Sequence, residues 1–134
     1  MWEIPGGAVD QEDPTILHGA ARELFEEAGL KARHIRRVLT DIGQDGKPAQ
    51  RYTFVTRRGL SCCGWAFEAE VSLEDMEGGV KLHPDEHEDY VWASEEEVVA
   101  GAVGDKKIPL VAERMKLVIL NAFKQRKLNG EMAA

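Results

Sequence analysis

The sequence predicts a single α+β domain, and the order of its local patterns is the main reason. A strand-like start, a helix, several strands joined by short turns, a short helix and a long helix follow one another, which is typical of a layered α+β fold. A chain of 134 residues with 43% hydrophobic composition can bury one core. We therefore expect residues 1–134 to form one compact domain.

The first helix is the element with the clearest ends. Asp13 is predicted as its N-cap, Pro14 as its first residue and Gly29 as a left-handed C-terminal cap. Before this helix, Trp2 and Ile4 alternate with polar neighbours and indicate a short strand. The apolar stripe that we expect to face the core consists of Leu17, Ala20, Ala21, Leu24 and Ala28.

Three strands are expected in the middle of the chain. Residues 34–42 and 52–56 are rich in β-forming side chains, and the turn-forming residues 44–47 between them predict an antiparallel connection. The sequence Arg57-Arg58-Gly59 marks a second turn. Residues 65–71 alternate most regularly between apolar and polar side chains, which makes them the clearest predicted strand.

The last part of the chain is predicted to contain a loop and two helices. Residues 74–84 are polar and irregular, as are many loops that contact substrates. Ser94 and Glu97 form a capping box that begins a short helix, and Gly101 ends it. A longer helix follows and is expected to fray from Lys124. Its predicted core stripe consists of Val111, Met115, Val118, Ile119 and Ala122, with Phe123 beside it.

Charge and cysteine usage narrow the classes of function. The formal net charge of −7 argues against a protein that binds nucleic-acid backbones non-specifically, because such binding requires clustered Lys and Arg. Cys62 and Cys63 are adjacent, which is a poor arrangement for a disulfide and favours a reducing, cytoplasmic environment. No run of 18 apolar residues and no signal peptide is found, so a soluble protein without membrane partners is expected.

Three glutamates of the first helix form an acidic cluster. At about 100° per residue, Glu23, Glu26 and Glu27 lie within an arc of roughly 100°. Arg22 can reach Glu26 one turn away and is expected to leave the other two without a partner. A divalent cation such as Mg²⁺, which prefers oxygen ligands, would compensate their repulsion. The alternative interpretation is a solvated acidic face.

The surroundings of this cluster resemble a known motif. A glycine pair at 6–7 is followed by a loop and then by Arg-Glu-Leu at 22–24, Glu-Glu at 26–27 and Gly-Leu at 29–30. Together they resemble the Nudix box. The match is complete over 22–30, but Asp13 stands where the family has Glu. Eight residues rather than seven separate Asp13 from the arginine, and this extra residue can be absorbed in the turn before the helix.

The resemblance implies a fold, a reaction and a metal. The fold would be a Nudix-type α/β/α sandwich with a mixed sheet and a loop–helix–loop catalytic motif. The family's strands before this motif are missing, so we expect a fragment or a chain that completes its sheet in a homodimer. The reaction would be hydrolysis of the phosphoanhydride (pyrophosphate) bond in a small nucleoside diphosphate linked to another moiety. Mg²⁺ would be the cofactor, with Mn²⁺ as a substitute.

The resemblance also implies roles for individual residues. Glu86 stands six positions before Trp92, where the family often has an acidic residue that reaches the metal site, and Glu88 is the reserve candidate. His87 could act as a base, although a single loop His is more often a surface residue. The predicted metal ligands are Glu23, Glu26, Glu27 and Glu86. The predicted catalytic residues are Glu26, Glu27, Glu86 and Arg22, and the predicted substrate-binding residues are Gly6, Gly7 and Arg57.

Two alternatives stay open at this point. The first concerns Arg57, which could approach a phosphate group but could equally be a solvated turn residue. The second concerns the whole protein. The same fold also occurs in modules that bind nucleotides or proteins without hydrolysing them, and the altered front of the box is compatible with such a module.

Overall fold

The computed structural model describes residues 1–39, 41–42, 48–49, 52–72, 80–83 and 89–130. Within these ranges it contains short paired strands and helices, which is the mixed α+β content predicted from the sequence. The helices are α1 Ile16–Ala28, α2 Glu95–Ala100 and α3 Glu113–Leu128. The strands are β1 Ala32–Leu39, β2 Asp41–Ile42, β3 Pro48–Ala49, β4 Tyr52–Val55, β5 Ser61–Gly64, β6 Ala66–Val71, β7 Ala102–Val103 and β8 Lys106–Lys107.

The described residues cluster in two compact units. The first unit comprises residues 1–3, 38–68 and 93–134, and the second comprises residues 4–37 and 69–92. Strands pair two by two, in the order β1–β6, β2–β3, β4–β5 and β7–β8. None of the helices in the described ranges is long and apolar enough to cross a membrane.

In its described residues, the first unit contains three antiparallel strand pairs and two packed helices. β2 pairs with β3, β4 with β5 and β7 with β8, and α2 lies against α3. The predicted turn at residues 44–47 lies outside the described residues, and Ile42 pairs with Pro48 on its other side in an antiparallel arrangement. The predicted partner strand over residues 52–56 was wrong, because β4 pairs with β5 instead. The buried apolar side chains of this unit are Leu39, Val98, Ile108 and Val118.

Two hairpins of the first unit follow from their turn residues. The predicted turn at 57–59 joins β4 to β5, and Gly59 has a φ of 81°, which favours glycine. β5 itself escaped prediction because its sequence, Ser-Cys-Cys-Gly, has no alternating pattern. β7 and β8 are joined by Gly104-Asp105. A glycine followed by aspartate between two short strands is a hairpin signal, and it is present in the sequence.

The helices of the first unit confirm one prediction and correct two. Ser94 accepts a hydrogen bond from Glu97 N, Glu97 Oε1 accepts from Ser94 N, and Gly101 adopts a φ of 73°, so the capping box and the end of α2 are confirmed. α3 begins at Glu113, which leaves Val111 outside it, and it continues past Lys124 to Leu128. Ion pairs explain this extension, since Arg126 contacts Glu68 and Lys127 contacts Glu95 near the end of the helix.

The beginning of the chain forms less strand than predicted. Trp2 makes one parallel bridge with Leu110, in which Trp2 N donates to Pro109 O at 2.8 Å and Trp2 O accepts from Val111 N at 3.0 Å. Lys106 Nζ lies 5.6 Å from the centre of the Trp2 ring, within the range of a cation–π contact. Trp2 therefore belongs to the first unit. Ile4 is the first residue of the second unit, and its side chain is 39% exposed.

In the second unit, α1 begins two residues later than predicted. The N-cap is Thr15, whose hydroxyl accepts from His18 N, so the prediction of Asp13 as N-cap is wrong. Gly29 is the predicted left-handed cap, with a φ of 67° and its N–H bonded to Phe25 O. Ala28 is buried, but Leu17 at the other end of the predicted stripe is 43% exposed. The predicted stripe is therefore buried at Ala28 but not at Leu17.

Candidate active site

The loop over residues 6–13 and α1 bring the acidic residues of the second unit together around one arginine. Arg22 donates from Nε to Asp13 Oδ1 at 3.0 Å and from Nη2 to Asp13 Oδ2 at 3.0 Å. Its Nη1 donates to Glu23 Oε1 at 3.1 Å and to Glu26 Oε2 at 2.9 Å. Nη2 also donates to Ala8 O at 2.9 Å. The arginine thus connects the loop to the helix.

This arrangement corrects one expectation about the three glutamates. The predicted contact between Arg22 and Glu26 is present, but Glu23 shares the same guanidinium nitrogen and is not left without a partner. Glu27 Oε2 accepts a hydrogen bond from Gly6 N at 2.8 Å. Spacing along a helix predicted the contact within the helix. It could not predict the contact made by the loop.

The negative charge of the cluster exceeds its positive charge. Four carboxylates, those of Asp10, Asp13, Glu23 and Glu26, lie within 3.6 Å of Arg22. Among the residues that the structure describes, Arg22 is the only cation paired with these four, which leaves three unbalanced negative charges. Such a site attracts a small, hard cation.

The two glycines of the loop have different surroundings. A Cβ atom built on Gly7 would overlap the carboxylate of Glu23, whereas one built on Gly6 would have nothing within 4 Å. The missing side chain of Gly7 therefore allows Glu23 to approach the loop backbone closely. Gly6 contributes its backbone N–H, which holds Glu27.

A short extended segment fixes the other end of α1, and sequence reasoning missed it. Lys81 N donates to Ala28 O at 2.7 Å, and His83 N donates to Glu27 O at 3.3 Å. Lys81 also lies so close to Gly29 that a Cβ there would be 2.8 Å from Lys81 Cβ. These bonds occupy carbonyl groups that the helix leaves unpaired at its end. No local pattern predicts them, because 52 or more residues separate the partners.

Comparison with known proteins identifies the family. A family model described as NUDIX domain matches residues 1–113. The chain belongs to the Nudix family. This confirms the resemblance read from residues 6–30, including the assignment of α1 as the helix of the Nudix box.

Individual relatives match shorter stretches. Over 40 residues the chain is 52% identical to the CMP-5'-(N-acetyl-N-hydroxy-3-aminopropyl)phosphonate hydrolase of Streptomyces rubellomurinus. This matched stretch covers 29% of this chain and 18% of that protein. Over 84 residues the chain is 30% identical to phosphatase NudJ of Escherichia coli. This matched stretch covers 53% of this chain and 54% of NudJ. The chain thus spans about half the length of NudJ.

Within this Nudix box, the Arg22–Asp13 pair determines the local electrostatics. The hydrogen bonds from Arg22 hold the pKa of Asp13 below its usual value of 3.8, and the N–H of Asp10 contributes in the same direction. The same contact raises the pKa of the Arg22 guanidinium above its usual range. Both groups are therefore charged near neutral pH, and the contact disfavours loss of a proton from Arg22.

The lowered pKa of Asp13 predicts a specific loss of stability in acid. Because its folded pKa lies below its unfolded pKa, the charged form stabilises the fold above about pH 4, and this contribution disappears as pH falls through the folded value. Asp13→Asn is therefore expected to lower the thermal midpoint by several degrees at pH 7, with a difference from wild type that shrinks toward pH 2. Scanning calorimetry between pH 2 and pH 7 measures this.

Glu70 is the matched control for this acid prediction. Arg36 donates to Glu70 at 2.7 Å and lowers its pKa in the same way, but 42% of the Glu70 side chain is exposed, compared with 8% for Asp13. Solvent screens exposed pairs, so Glu70→Gln should change the midpoint little at any pH. An Asp13→Asn difference that stayed constant down to pH 2 would show that the charge of Asp13 is not what stabilises the loop.

Several predicted site residues cannot be placed in the Nudix site. Glu86, Glu88 and His87 lie outside the described residues. Arg57 lies in the turn between β4 and β5 of the first unit and is exposed, so its substrate contact stays a prediction. Trp92 is described, but it lies outside any strand and is 55% exposed.

The described side chains do not themselves converge on a metal position. In the part of the chain that the structure describes, no group of three His, Cys, Asp or Glu side chains has the arrangement of a metal site. The donor chemistry nevertheless fits a hard divalent cation, since the cluster offers only oxygen ligands and carries excess negative charge. Arg22 Nη1 contacts one oxygen each of Glu23 and Glu26, so the other oxygen of each carboxylate could serve a cation.

Proposed function

We propose that this Nudix protein is a divalent-metal-dependent hydrolase that cleaves the phosphoanhydride bond of a nucleoside diphosphate linked to another moiety. One observation carries the proposal. The loop and α1 hold Glu23, Glu26 and Glu27 on one side of the helix beside two glycines, with more negative charge than Arg22 neutralises. Membership in the family makes hydrolysis the expected use of such a site.

The proposed metal ligands are Glu23, Glu26, Glu27 and Glu86, with Mg²⁺ as the ion and Mn²⁺ as a substitute. A bound ion would neutralise phosphate oxygens and lower the pKa of a coordinated water. The chain itself supplies orientation. Gly6 N donates a hydrogen bond to the Glu27 carboxylate. Because Gly7 has no side chain, the Glu23 carboxylate has room beside the loop. Arg22 orients Glu26 and keeps the loop against the helix.

The inclusion of Glu86 is supported by the segment that precedes it. His83 is bonded through its backbone to Glu27, and Glu86 follows three residues later. We propose that Glu86 completes the metal site or accepts the proton of the attacking water.

The proposed substrate is a small nucleotide-type diphosphate. The phosphonate hydrolase is named for a CMP-linked compound, but its 52% identity extends over 40 residues only, so it supports the class of substrate and not the base. The net charge of −7 disfavours a nucleic-acid backbone and suits a substrate whose phosphates are bound through a metal ion. Arg57 is a proposed phosphate contact, and a homodimer stays a prediction.

Metal dependence is the direct test of this function. A panel of nucleoside diphosphate compounds, including nucleotide sugars, dinucleotides and coenzymes, is incubated with Mg²⁺, with Mn²⁺ and with chelator. We expect release of a nucleoside monophosphate with either metal and at least about a 10²-fold lower rate without one, because the ion supplies several kcal/mol of transition-state stabilisation. Chromatography of the products measures this.

A different outcome would support a binding module instead. Metal-dependent thermal stabilisation without turnover of any compound would indicate a Nudix fold that binds and does not hydrolyse. If the protein shows neither metal-dependent stabilisation nor turnover, the metal site itself is contradicted. The acidic cluster would then have a structural role.

A further inference from the structure

Gly19 is an unusual residue for its position in α1. It is the fourth residue of the helix, where glycine is less favourable than most other residues, and it is buried. A Cβ atom at this position would lie 3.0 Å from Asp13 Oδ2 and 3.5 Å from Asp13 Cγ. Gly19 therefore makes room for the carboxylate of Asp13 against the helix surface.

Asp13 is fixed in this place from all sides. Its side chain is only 8% exposed, and Asp10 N donates to Oδ2 at 2.8 Å. Nε and Nη2 of Arg22 donate to both carboxylate oxygens. One more methylene would move the carboxylate by about 1.5 Å, either into Gly19 or into Arg22. The site therefore has space for aspartate but not for glutamate.

We propose that Asp13, seated on Gly19, is the positioning residue for Arg22, and that its short side chain is matched to the extra residue between the loop and the helix. The family pattern has a glutamate and seven intervening residues, whereas this chain has an aspartate and eight. The two departures compensate each other and keep the guanidinium on Glu23 and Glu26. The consequence for catalysis rests on the proposed function, but the compensation itself does not.

The test restores the two family features singly and together. The variants are Asp13→Glu, a deletion of Pro14, and the combination, which has a glutamate followed by seven residues. Each single change should lower turnover and Mn²⁺ affinity by about tenfold or more, because it displaces the carboxylate from Arg22. The two losses should not add, because interactions in one network are not additive. The combined variant should recover to within about threefold of wild type. Losses that multiply in the combined variant would overturn the proposal.

Gly19→Ala provides a second and independent test. If Gly19 had no role, alanine would raise the thermal midpoint through its higher helix propensity. The proposal instead expects an unchanged or lower midpoint and about a tenfold weaker Mn²⁺ affinity. Adding Gly19→Ala to Asp13→Asn should cost no further affinity, because the carboxylate that it displaces has already lost its charge. A raised midpoint with unchanged Mn²⁺ affinity would overturn the proposal.

Three readouts separate this proposal from the proposed function. Turnover tests both together, Mn²⁺ titration followed by electron paramagnetic resonance tests the ligands, and thermal midpoints test the fit of Asp13 alone. If wild type neither turns over nor binds Mn²⁺, the proposed function fails. Recovery of the midpoint in the combined variant would then still support the matched pair, and its absence would contradict it.

Discussion

Glu27→Gln is expected to lower turnover by about 10²- to 10⁴-fold while the protein stays folded. Glutamine keeps a carbonyl oxygen that can accept the hydrogen bond from Gly6 N, so the loop retains its anchor. What disappears is the negative charge of a proposed metal ligand. Because the cluster carries excess negative charge, the thermal midpoint in metal-free buffer should be unchanged or higher. Turnover and calorimetry on the same preparation measure both effects.

Glu12→Gln is the matched control for this result. Glu12 belongs to the same loop and is exposed, so removing its charge changes the net charge equally without changing the site. Its turnover should stay within about twofold of wild type, as is usual for surface substitutions away from a site. A sharp fall of the metal-free midpoint in Glu27→Gln would mean instead that Glu27 supports the fold through Gly6, and that its charge is structural.

Local sequence patterns predicted the ends of helices well where one residue type decides them. Gly29 and Gly101 adopt the left-handed conformation expected of C-terminal caps, and Ser94 makes the predicted capping box. The N-cap of α1 was missed because Asp13 and Thr15 are both good N-caps. Tertiary contacts decided between them. The Asp13 carboxylate accepts hydrogen bonds from Arg22, and the Thr15 hydroxyl caps the helix by accepting from His18 N.

Helix geometry predicted the arrangement of the acidic cluster along α1 but not the contacts that other segments make with it. Spacing places Glu23, Glu26 and Glu27 on one side of α1 and Arg22 near Glu26, since these relations depend only on helix geometry. It gives no information about the loop. The sharing of Arg22 with Asp13, the bond of Gly6 to Glu27 and the anchoring of His83 all depend on chain segments that approach from elsewhere.

Long-range contacts hold the loop to the helix although the front of the box is altered. The acidic helix and the glycine loop are joined by Arg22 through Asp13 and Ala8, so the loop keeps its attachment despite the extra residue. The consequence is that the loop backbone lies close to Glu23. A site in which a ligand carboxylate touches a glycine is sensitive to a single added methyl group, and this sensitivity can be measured.

Gly7→Ala is expected to lower turnover by about 10²-fold, because an added Cβ would overlap the carboxylate of Glu23. Gly7 does not have a positive φ, so alanine introduces no backbone strain and the effect is confined to this contact. Glu23 would turn away from the loop, since its side chain yields more easily than the backbone. The thermal midpoint should therefore change little, while Mn²⁺ affinity falls together with turnover.

Two further variants decide whether the Gly7 contact is the cause. Gly6→Ala keeps the N–H that holds Glu27 and meets nothing within 4 Å, so its loss should be far smaller than that of Gly7→Ala. Glu23→Asp, combined with Gly7→Ala, shortens the side chain and removes the overlap, and it should recover part of the Mn²⁺ affinity lost in Gly7→Ala. If Gly6→Ala and Gly7→Ala were equally impaired, loop flexibility and not the approach of Glu23 would be the reason for both glycines.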